Sequence, residues 1–413
     1  MKKIKASILQ LTLGIAFVIA ALCGSILLLA YFNRLVFTDQ NRSDILLTNC
    51  NSAVEYFLAK RLDLSFNKTY YIDLFEEGTD SVEITRKPWG LFELACVSAS
   101  RGQKRVTKNA LTTALTTQKG EASLYIPDRN APLYLVGDTR IEGTVYVSEK
   151  KFTTGYIDGL GYKGSKLFEG EALKSDPEMP TLDTTLLYQL KQFLLPVGGS
   201  HYSLQPIELL RGGKYSFSPC SYFFSEQSIE LNDSIQGGLV VQSAMKIRVT
   251  AGSFLEDVIL IAPLIDIDRE FVGVIQCFAT KQITVGSDSK LYYPSSLALM
   301  GGESDSTILI RRNALVQGLI LIPGGKNIQD KGRLRLEPGA RFQGTAYVNG
   351  ATDNQGTTMG NLITFTMQVS KDDVVHSNHV MNGLISGTME SVPRAGSFSW
   401  LANEKAVVAK WVH

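Results

Sequence analysis

A spacing of 18 residues between short apolar pairs constrains the fold of this chain more than any other feature. The pairs are Ile229-Leu231, Ile247-Val249, Ile265-Ile267 and Ile283-Val285, and each begins 18 residues after the one before. A constant period without gaps is typical of a solenoid, in which every coil passes its inward column of residues on to the next. The sequence therefore predicts a stack of β-strand coils.

The residue types in the repeat indicate how each coil is built. Isoleucine and valine are β-branched and suit flat strands, while the residue between them points to solvent because side chains alternate along a strand. Two more columns keep the same step, Val241–Ile259–Cys277 and Ala244–Ala262–Thr280. We predict a mainly β fold, a three-sided β-helix with 18-residue rungs, and leave its handedness open.

A glycine signature accompanies the repeat. An apolar residue, then Glu, Gln or Val, then glycine recurs at 141–143, 235–237, 271–273, 316–318 and 342–344. Glycine suits a corner where the backbone needs an unusual φ or a close approach. Ile308 and Leu334 lie 26 residues apart, which is one rung plus an insertion of 8 residues around Lys326–Lys331.

This glycine-punctuated pattern over residues 133–170 and 229–350 resembles the bactofilins, which are polymer-forming bacterial cytoskeletal proteins. The resemblance implies a bacterial structural protein and self-association. The combined architecture also resembles membrane-anchored proteins of unassigned role in Bacteroidota. Neither resemblance implies a catalytic activity.

An apolar run precedes the repeat. No charged residue occurs from Ala6 to Phe32, and these 27 residues would span about 40 Å as a helix, which exceeds the thickness of the hydrocarbon core. Three lysines precede the run, so the positive-inside rule predicts a single-pass protein of the bacterial cytoplasmic membrane with its N-terminus inside and the rest exported. A cleaved signal peptide is the alternative, although its apolar region should be shorter.

The residues after the apolar run predict a helical stalk and a small sheet. Apolar residues recur at helical spacing between Asn41 and Leu64, and three predicted strands follow at 81–86, 91–100 and 104–109. A membrane helix that continues into a half-polar helix and a small sheet resembles the layout of type IV pilins and pseudopilins. This resemblance covers about the first 115 residues.

The domain organisation follows from these patterns. A predicted helix with Thr184 as its cap and Leu186, Leu187, Leu190, Phe193 and Leu194 on one side interrupts the repeat. The segment after Thr352 loses the repeat and ends in Trp400 to Trp411, which predicts a cap. The predicted parts are an anchor and stalk at 1–64, a small sheet at 65–125, a first β-helix part at 126–176, an insertion at 177–225, the main β-helix at 226–350 and a cap at 351–413.

Charge and cysteine content exclude several functions. With 41 basic and 40 acidic residues the net charge is +1, which provides no field for a nucleic acid, and we predict none as a partner. The five cysteines have no zinc-type spacing, and we predict no metal and no cofactor. Cys23 and Cys277 are predicted to be small core residues, and a disulfide among Cys50, Cys96 and Cys220 remains open.

One acidic cluster is a candidate catalytic site. Asp266, Asp268 and Glu270 surround Arg269, and carbohydrate-active β-helices place carboxyl groups on one face for acid/base chemistry or calcium. The alternative is a solvated ladder of alternating charge, because Glu230, Arg248 and Asp266 occupy one column. No neighbouring rung supplies a second acidic pair. We therefore predict that these residues are solvated surface charges and that the chain has no enzyme activity.

Two further groups have ordinary alternatives. His376 and His379 have the spacing of two helical metal ligands, but their polar context predicts a surface loop. The aromatic residues of the insertion suit sugar stacking or, more commonly, core packing; they are Tyr202, Tyr215, Tyr222, Phe223 and Phe224.

The sequence thus predicts a structural or assembly component of the bacterial cell envelope that acts as a scaffold. The expected partners are the lipid bilayer through residues 6–32 and envelope proteins, and self-association and polysaccharide binding are left open. A carbohydrate-binding or carbohydrate-cleaving β-helix is the alternative function.

Overall fold

The computed structural model describes residues 5–74, 81–114, 122–182, 184, 187, 188, 190, 191, 204–217, 219–301, 305–324, 332–372, 374–387 and 406–412. The chain forms two compact units. Unit 1 comprises Met1–Tyr56, Thr69–Ile84 and Val97–Lys108, and unit 2 comprises Phe57–Lys68, Thr85–Cys96 and Asn109–His413.

The described residues are mainly β, with one long helix. The helix α1 spans Lys5–Lys60, and 3-10 helices occupy Arg61–Asp63 and Ile207–Leu209. The strands are β1 Thr69–Ile72, β2 Ser81–Trp89, β3 Phe92–Arg101, β4 Lys104–Ala114, β5 Ala122–Tyr125, β6 Leu133–Val136, β7 Arg140–Val147, β8 Phe152–Thr154, β9 Tyr156–Ile157, β10 Leu160–Gly161, β11 Glu169–Lys174, β12 Leu204–Pro206, β13 Gly213–Tyr215, β14 Ser221–Ser225, β15 Ile229–Leu231, β16 Ser234–Ser243, β17 Lys246–Val249, β18 Phe254–Ile267, β19 Val272–Val285, β20 Lys290–Leu299, β21 Thr307–Ile310, β22 Leu315–Ile322, β23 Arg333–Leu336, β24 Arg341–Asn354, β25 Thr357–Lys371, β26 Val374–Ser377, β27 His379–Met381, β28 Leu384–Ser386 and β29 Ala406–Val412.

Unit 1 contains most of α1, which is long and apolar enough to cross a membrane. Its large apolar side chains are exposed from Ile8 to Phe37, whereas Leu46, Cys50, Ala53 and Val54 are buried. The burial spacing of three and four residues is that of one helical face. The helix therefore continues without a break past the apolar run, and there it buries one face.

Two contacts within unit 1 fix α1 on β4. The Lys104 ammonium lies 2.7 Å from Asp39 Oδ1 and donates to the Asp39 carbonyl at 2.9 Å. Further along the helix, the Cys50 thiol donates to the Val106 carbonyl at 3.4 Å. The stalk thus packs along one strand over several turns.

A small sheet has the strand order β1-β2-β3-β4-β29. The three predicted strands correspond to β2, β3 and β4. The sequence did not predict β29, which pairs antiparallel with β4 so that Ala406 faces Ala114 and Val412 faces Asn109. The C-terminal segment therefore supplies a strand of this sheet.

Most of the remaining strands form a closed ring of mainly parallel strands, which we call the parallel stack. Ile229, Ile247, Ile265 and Ile283 are successive parallel partners, as the first predicted column requires. The column continues to Ile308, Leu334, Thr352 and Met367. All eight side chains are buried, and most belong to the core inside the stack, which we call the inner core.

The order of strands in the stack differs from their order in the chain. The strand β25 pairs with β24, and β5 and β28 pair with β25. The strand β28 also pairs with β7, and β7 pairs with β11. The predicted first part at 126–176 thus adjoins the C-terminal side of the main part, and β25 to β28 continue the pairing where we predicted a cap. Parallel pairing is non-local, so chain order does not determine neighbours.

Both ends of the inner core are covered by side chains of the same chain. At the β11 end, Phe152 and Phe168 stack with ring centroids 5.2 Å apart, and Leu167 packs beside them. At the β12 end, Ile207 and Tyr215 pack against the core. Partly buried side chains of the same chain therefore pack against the inner core near its first and its last strands.

The second and third predicted columns are wrong by one residue. Leu260, and not Ile259, pairs with Val241 and Cys277, and Ala262 pairs with Ala279. Irregularities in the register lie between Glu256 and Val258 and between Ala262 and Leu264. Asp257 has a φ of +62°, which is typical of a bulge that turns the following side chains to the other face.

The glycine signature is explained by close backbone approach. Gly318 and Gly344 are parallel partners with φ values of +136° and +148°. A Cβ atom on Gly344 would lie 1.9 Å from the Gly318 carbonyl oxygen, which no side chain tolerates. Gly273 is not among the described residues with a positive φ. Glycine is needed there because a Cβ atom would lie 2.6 Å from the Leu255 carbonyl oxygen.

The insertion carries part of the predicted helix. Thr184, Leu187, Tyr188, Leu190 and Lys191 are helical. Leu190 is buried in the second hydrophobic core of unit 2. The predicted positions Leu186, Phe193 and Leu194, like the insertion at 326–331, lie outside the described residues.

Candidate functional site

One outward surface of the parallel stack is apolar, and we call it the outer face. It carries Val240, Ile259, Phe278 and Leu319, all of which are buried. Side chains of the small sheet that belong to unit 2 cover this face and complete the second core; they are Trp89, Leu91, Phe92, Leu94, Leu111 and Val412. The strands of the stack here are buried on both sides.

A buried glutamine fastens the sheet to the outer face. Gln276 Nε2 donates to the Trp89 carbonyl at 3.1 Å, and its Oε1 accepts from the Leu91 N–H at 2.9 Å. The Ser296 hydroxyl donates to the same Oε1 at 3.0 Å. A fully hydrogen-bonded amide fixes one register between two apolar surfaces.

A lysine of β29 makes a second connection. The Lys410 ammonium lies 2.7 Å from Glu256 Oε1 and 2.8 Å from Asp257 Oδ2. Burial raises the pKa of Asp257, and Lys410 opposes this effect. The bulge residue that shifts the register thus also binds the C-terminal strand.

The end of α1 meets the sheet at a buried ionic junction, formed by Arg61, Arg86 and Glu93. Arg86 donates to both oxygens of Glu93, at 3.0 and 2.8 Å, and Arg61 Nη1 lies 3.7 Å from Glu93 Oε1. Arg86 also donates to the carbonyls of Arg61 and Leu64. The charged side chains are almost inaccessible, at 4–7% exposure, so each depends on the others for charge compensation.

The acidic candidates form ion pairs on a different surface of the stack. Glu230, Arg248 and Asp266 are in register, as the charge-ladder interpretation requires. Arg248 forms a two-point contact with Asp268 at 3.0 and 2.9 Å, and this raises the pKa of Arg248. Asp266 pairs with Lys246 at 2.6 Å and not directly with Arg248.

The remaining acid of the cluster, Glu270, pairs with Arg269 at 2.6 Å. Each candidate carboxylate therefore has a cationic partner, which is the arrangement of solvated surface charge. Across the residues that the structure describes, no cluster of His, Cys, Asp and Glu is arranged to hold a metal ion.

The histidine pair lies on strands, and the loop prediction is wrong. His376 is in β26 and His379 is in β27. His379 Nδ1 is 2.8 Å from the Ser377 carbonyl, and its ring stacks on Tyr134 at 4.6 Å. The stacking on Tyr134 and the contact with the Ser377 carbonyl therefore hold the His379 ring in place.

The aromatic residues of the insertion pack inside unit 2. Tyr222 and Phe223 are buried, and Tyr215 contacts Phe223 edge to face at 6.0 Å. Phe224 is half-buried against the second core. Core packing, rather than sugar stacking, therefore describes these side chains, and Tyr202 lies outside the described residues.

All five cysteines lie in the described part of the chain, and none of them forms a disulfide bond. Cys277 is buried as predicted, and burial raises its pKa, whereas Cys23 is exposed on α1 and is not a core residue. Burial also raises the pKa of Cys96 to about 11. Thiols with raised pKa values are protonated at neutral pH and are poor nucleophiles.

Sequence reasoning missed a cleft in unit 2, which we call the tyrosine cleft. It has a volume of about 470 Å³ and is lined by Tyr125, Asp176, Pro177, Glu178, Met179 and Pro180. The two carboxylates and Tyr125 are about 50 residues apart in the chain, and only the parallel pairing of β5 brings Tyr125 to this place. The Asp-Pro-Glu-Met-Pro run was the one local signal of a turn.

No protein-family model, curated protein or solved structure matches this chain.

Proposed function

We propose that this chain is a membrane-anchored structural or assembly component of the bacterial cell envelope, built on a three-sided β-helix with 18-residue rungs. Its role is to hold protein partners along a stiff parallel stack. The first 115 residues serve as a pilin-like anchor module, and the stack serves as a bactofilin-like scaffold.

The membrane part of the proposal is supported by the exposure of α1. A run of large apolar side chains from Ile8 to Phe37 has no protein cover, and such a surface is stable only in a lipid environment or a partner's interior. The lysines at positions 2, 3 and 5 favour a cytoplasmic N-terminus in the inner membrane.

The observation that carries the scaffold proposal is the junction of Arg61, Arg86 and Glu93. Arg61, the first residue after α1, takes part in a buried ionic contact within unit 2, next to strands that pack on the outer face. This contact holds the segment that follows α1 on strands of unit 2, and such a defined register is what a scaffold requires. The ion pairs of Asp266, Asp268 and Glu270 also agree with a surface that performs no turnover.

The covered ends of the stack refine the expected partners. Phe168, just before β11, and Tyr215, in β13, pack against the inner core. We therefore propose that envelope proteins, or further copies of this chain, bind along the sides of the stack rather than by continuing it end to end.

The proposed location predicts where a C-terminal reporter is active. We expect alkaline phosphatase fused after His413 to be active and a cytoplasmic-type fluorescent reporter at the same site to be dark, because three lysines precede the apolar span. Replacing Lys2, Lys3 and Lys5 with glutamate is the matched control and should reduce the phosphatase activity. High fluorescence of the unmodified fusion would contradict the topology.

The scaffold proposal also predicts no specific retention on envelope polysaccharide. The full chain in a polyoxyethylene detergent should sediment with host polysaccharide no more than a chain with Asp266→Asn and Asp268→Asn does. Saturable retention that this double variant abolishes would favour the carbohydrate-binding alternative and overturn the scaffold proposal.

A further inference from the structure

Two of the five cysteines lie on the two surfaces that meet in the second core of unit 2. Cys96 is in β3 of the small sheet, and Cys220 directly precedes β14 of the parallel stack. Both side chains are half-buried and pack against the second core. The other cysteines lie elsewhere: Cys277 is buried in the inner core, and Cys23 and Cys50 belong to α1.

The alternation of side chains along β3 and β14 turns both thiols toward this interface. Phe92, Leu94 and Cys96 occupy alternate positions of β3, and the first two are buried in the second core. Cys220 and Tyr222 occupy alternate positions at the start of β14, and Tyr222 is buried in the same core. Cys96 and Cys220 therefore face one interface from opposite sides.

The Cys220 thiol is also close enough to influence the ionisation of Cys96. Burial raises the pKa of Cys96 to about 11, the Lys87 ammonium opposes this effect, and the charge of a Cys220 thiolate raises the pKa further. An electrostatic influence weakens with distance, so this one indicates that the two thiols are neighbours. The packing and the electrostatic contact thus agree on the same pair of cysteines.

We propose that Cys96 and Cys220 form a disulfide bond that joins the small sheet to the parallel stack within unit 2. This inference rests on the proposed function, because disulfide bonds form and persist in the compartment to which the chain is exported. The bond closes a loop of roughly 120 residues, and a crosslink over a long loop restricts the unfolded chain most. It adds a covalent link to the hydrogen bonds that Gln276 makes with the sheet.

The oxidant is the disulfide of a thiol–disulfide oxidoreductase or of glutathione. The Cys220 thiolate attacks this disulfide, forms a mixed disulfide and displaces the first thiol of the oxidant. The Cys96 thiolate then attacks the Cys220 sulfur and displaces the second thiol, so that two electrons and two protons pass from the protein to the oxidant. A buried thiol with a raised pKa attacks slowly, and we expect the bond to form while the chain folds, before Cys96 is buried.

Peptide mapping of the full chain tests this pairing. The chain is extracted from membranes in a polyoxyethylene detergent, and its free thiols are alkylated in a denaturant with N-ethylmaleimide. We expect a crosslinked pair of peptides that contain Cys96 and Cys220, with the other cysteines alkylated. In a separate native sample, a phosphine reductant should cleave the bond and lower the melting temperature by several degrees.

Serine variants assign the effect to these two thiols. Cys96→Ser and Cys220→Ser should each remove the crosslink and make the melting temperature insensitive to the reductant. Cys50→Ser is the matched control, because it changes a buried thiol of unit 1, keeps a donor for the Val106 carbonyl and should leave the crosslink intact. A crosslink to a different cysteine, or an equal effect of the reductant on the unmodified chain and on both variants, would overturn the proposal.

A second sample separates the pairing from the location of the chain. If the chain from cells is reduced, the purified full chain is incubated with oxidised glutathione at mildly alkaline pH, which favours thiolates. Formation of the same crosslink then supports the pairing and counts against export, whereas free Cys96 and Cys220 after this treatment overturn the pairing. If a serine variant fails to fold, the peptide map of the unmodified chain decides the matter.

Discussion

Ile265→Asp should abolish folding of the parallel stack. Ile265 is fully buried between its parallel partners Ile247 and Ile283 in the inner core. A carboxylate there has no cation to pair with, and we expect a loss of more than about 4 kcal/mol, a large part of the stability of a domain. Insoluble expression or loss of the cooperative melting transition would show this effect.

The adjacent residue provides the matched control. Asp266→Ala removes one exposed ion pair with Lys246, which should cost about 0–1 kcal/mol and leave the melting curve nearly unchanged. As a scaffold the variant should also complement a deletion strain. A folded Asp266→Ala protein that fails to complement would argue for an enzyme, and a stable Ile265→Asp protein would contradict the inward position of the column.

Glu93→Gln should destabilise unit 2 by about 3–5 kcal/mol, because it leaves two buried arginines without their shared counter-charge. Trp89 is buried in the adjoining core, so its fluorescence should report the loss as a lower denaturant midpoint.

Glu83→Gln is the control for charge alone. Glu83 pairs with Arg105, whose side chain is 53% exposed, and loss of this pair should cost no more than about 1 kcal/mol. Equal midpoints for the two variants would contradict the idea that burial makes the Arg61–Arg86–Glu93 junction critical.

The sequence predicted the inner isoleucine column because one side of those strands faces solvent. Arg248 separates Ile247 from Val249, and Asp266 separates Ile265 from Ile267. This alternation of apolar and charged residues indicates both the strands and their register. The apolar helix was equally clear, since nothing but length and lack of charge was needed. In both cases the residues that determine the structure are adjacent in the sequence, so the hydropathy pattern shows it directly.

The other columns failed for the opposite reason. The run Val258-Ile259-Leu260-Ile261 is apolar throughout, because Leu260 faces the inner core and Ile259 faces the sheet. A strand buried on both sides shows no alternation, so a one-residue bulge at Asp257 leaves no trace in hydropathy. The sheet that buries the outer side comes from distant segments that the repeat does not mark.

The tyrosine cleft could not be predicted for a related reason. Its aromatic wall and its acidic wall lie on separate segments, and their meeting depends on β5 pairing with β25. Asp266, Asp268 and Glu270 were predicted as a candidate site because they are close in the sequence. In the structure each of these carboxylates pairs with a lysine or an arginine. Proximity along the chain was therefore a poor guide to where the fold forms a cleft.

The strand order of the stack has a consequence for how the chain folds. During synthesis β5 and β7 emerge well before their partners β25 and β28, and β4 emerges some 300 residues before β29. Contacts this distant in sequence have a high loop-closure cost and form slowly. The early strands can pair with one another, as β5 does with β7, but the edges that receive β25, β28 and β29 must stay open until those strands arrive. Open strand edges pair readily with other chains, so aggregation competes with folding during this interval.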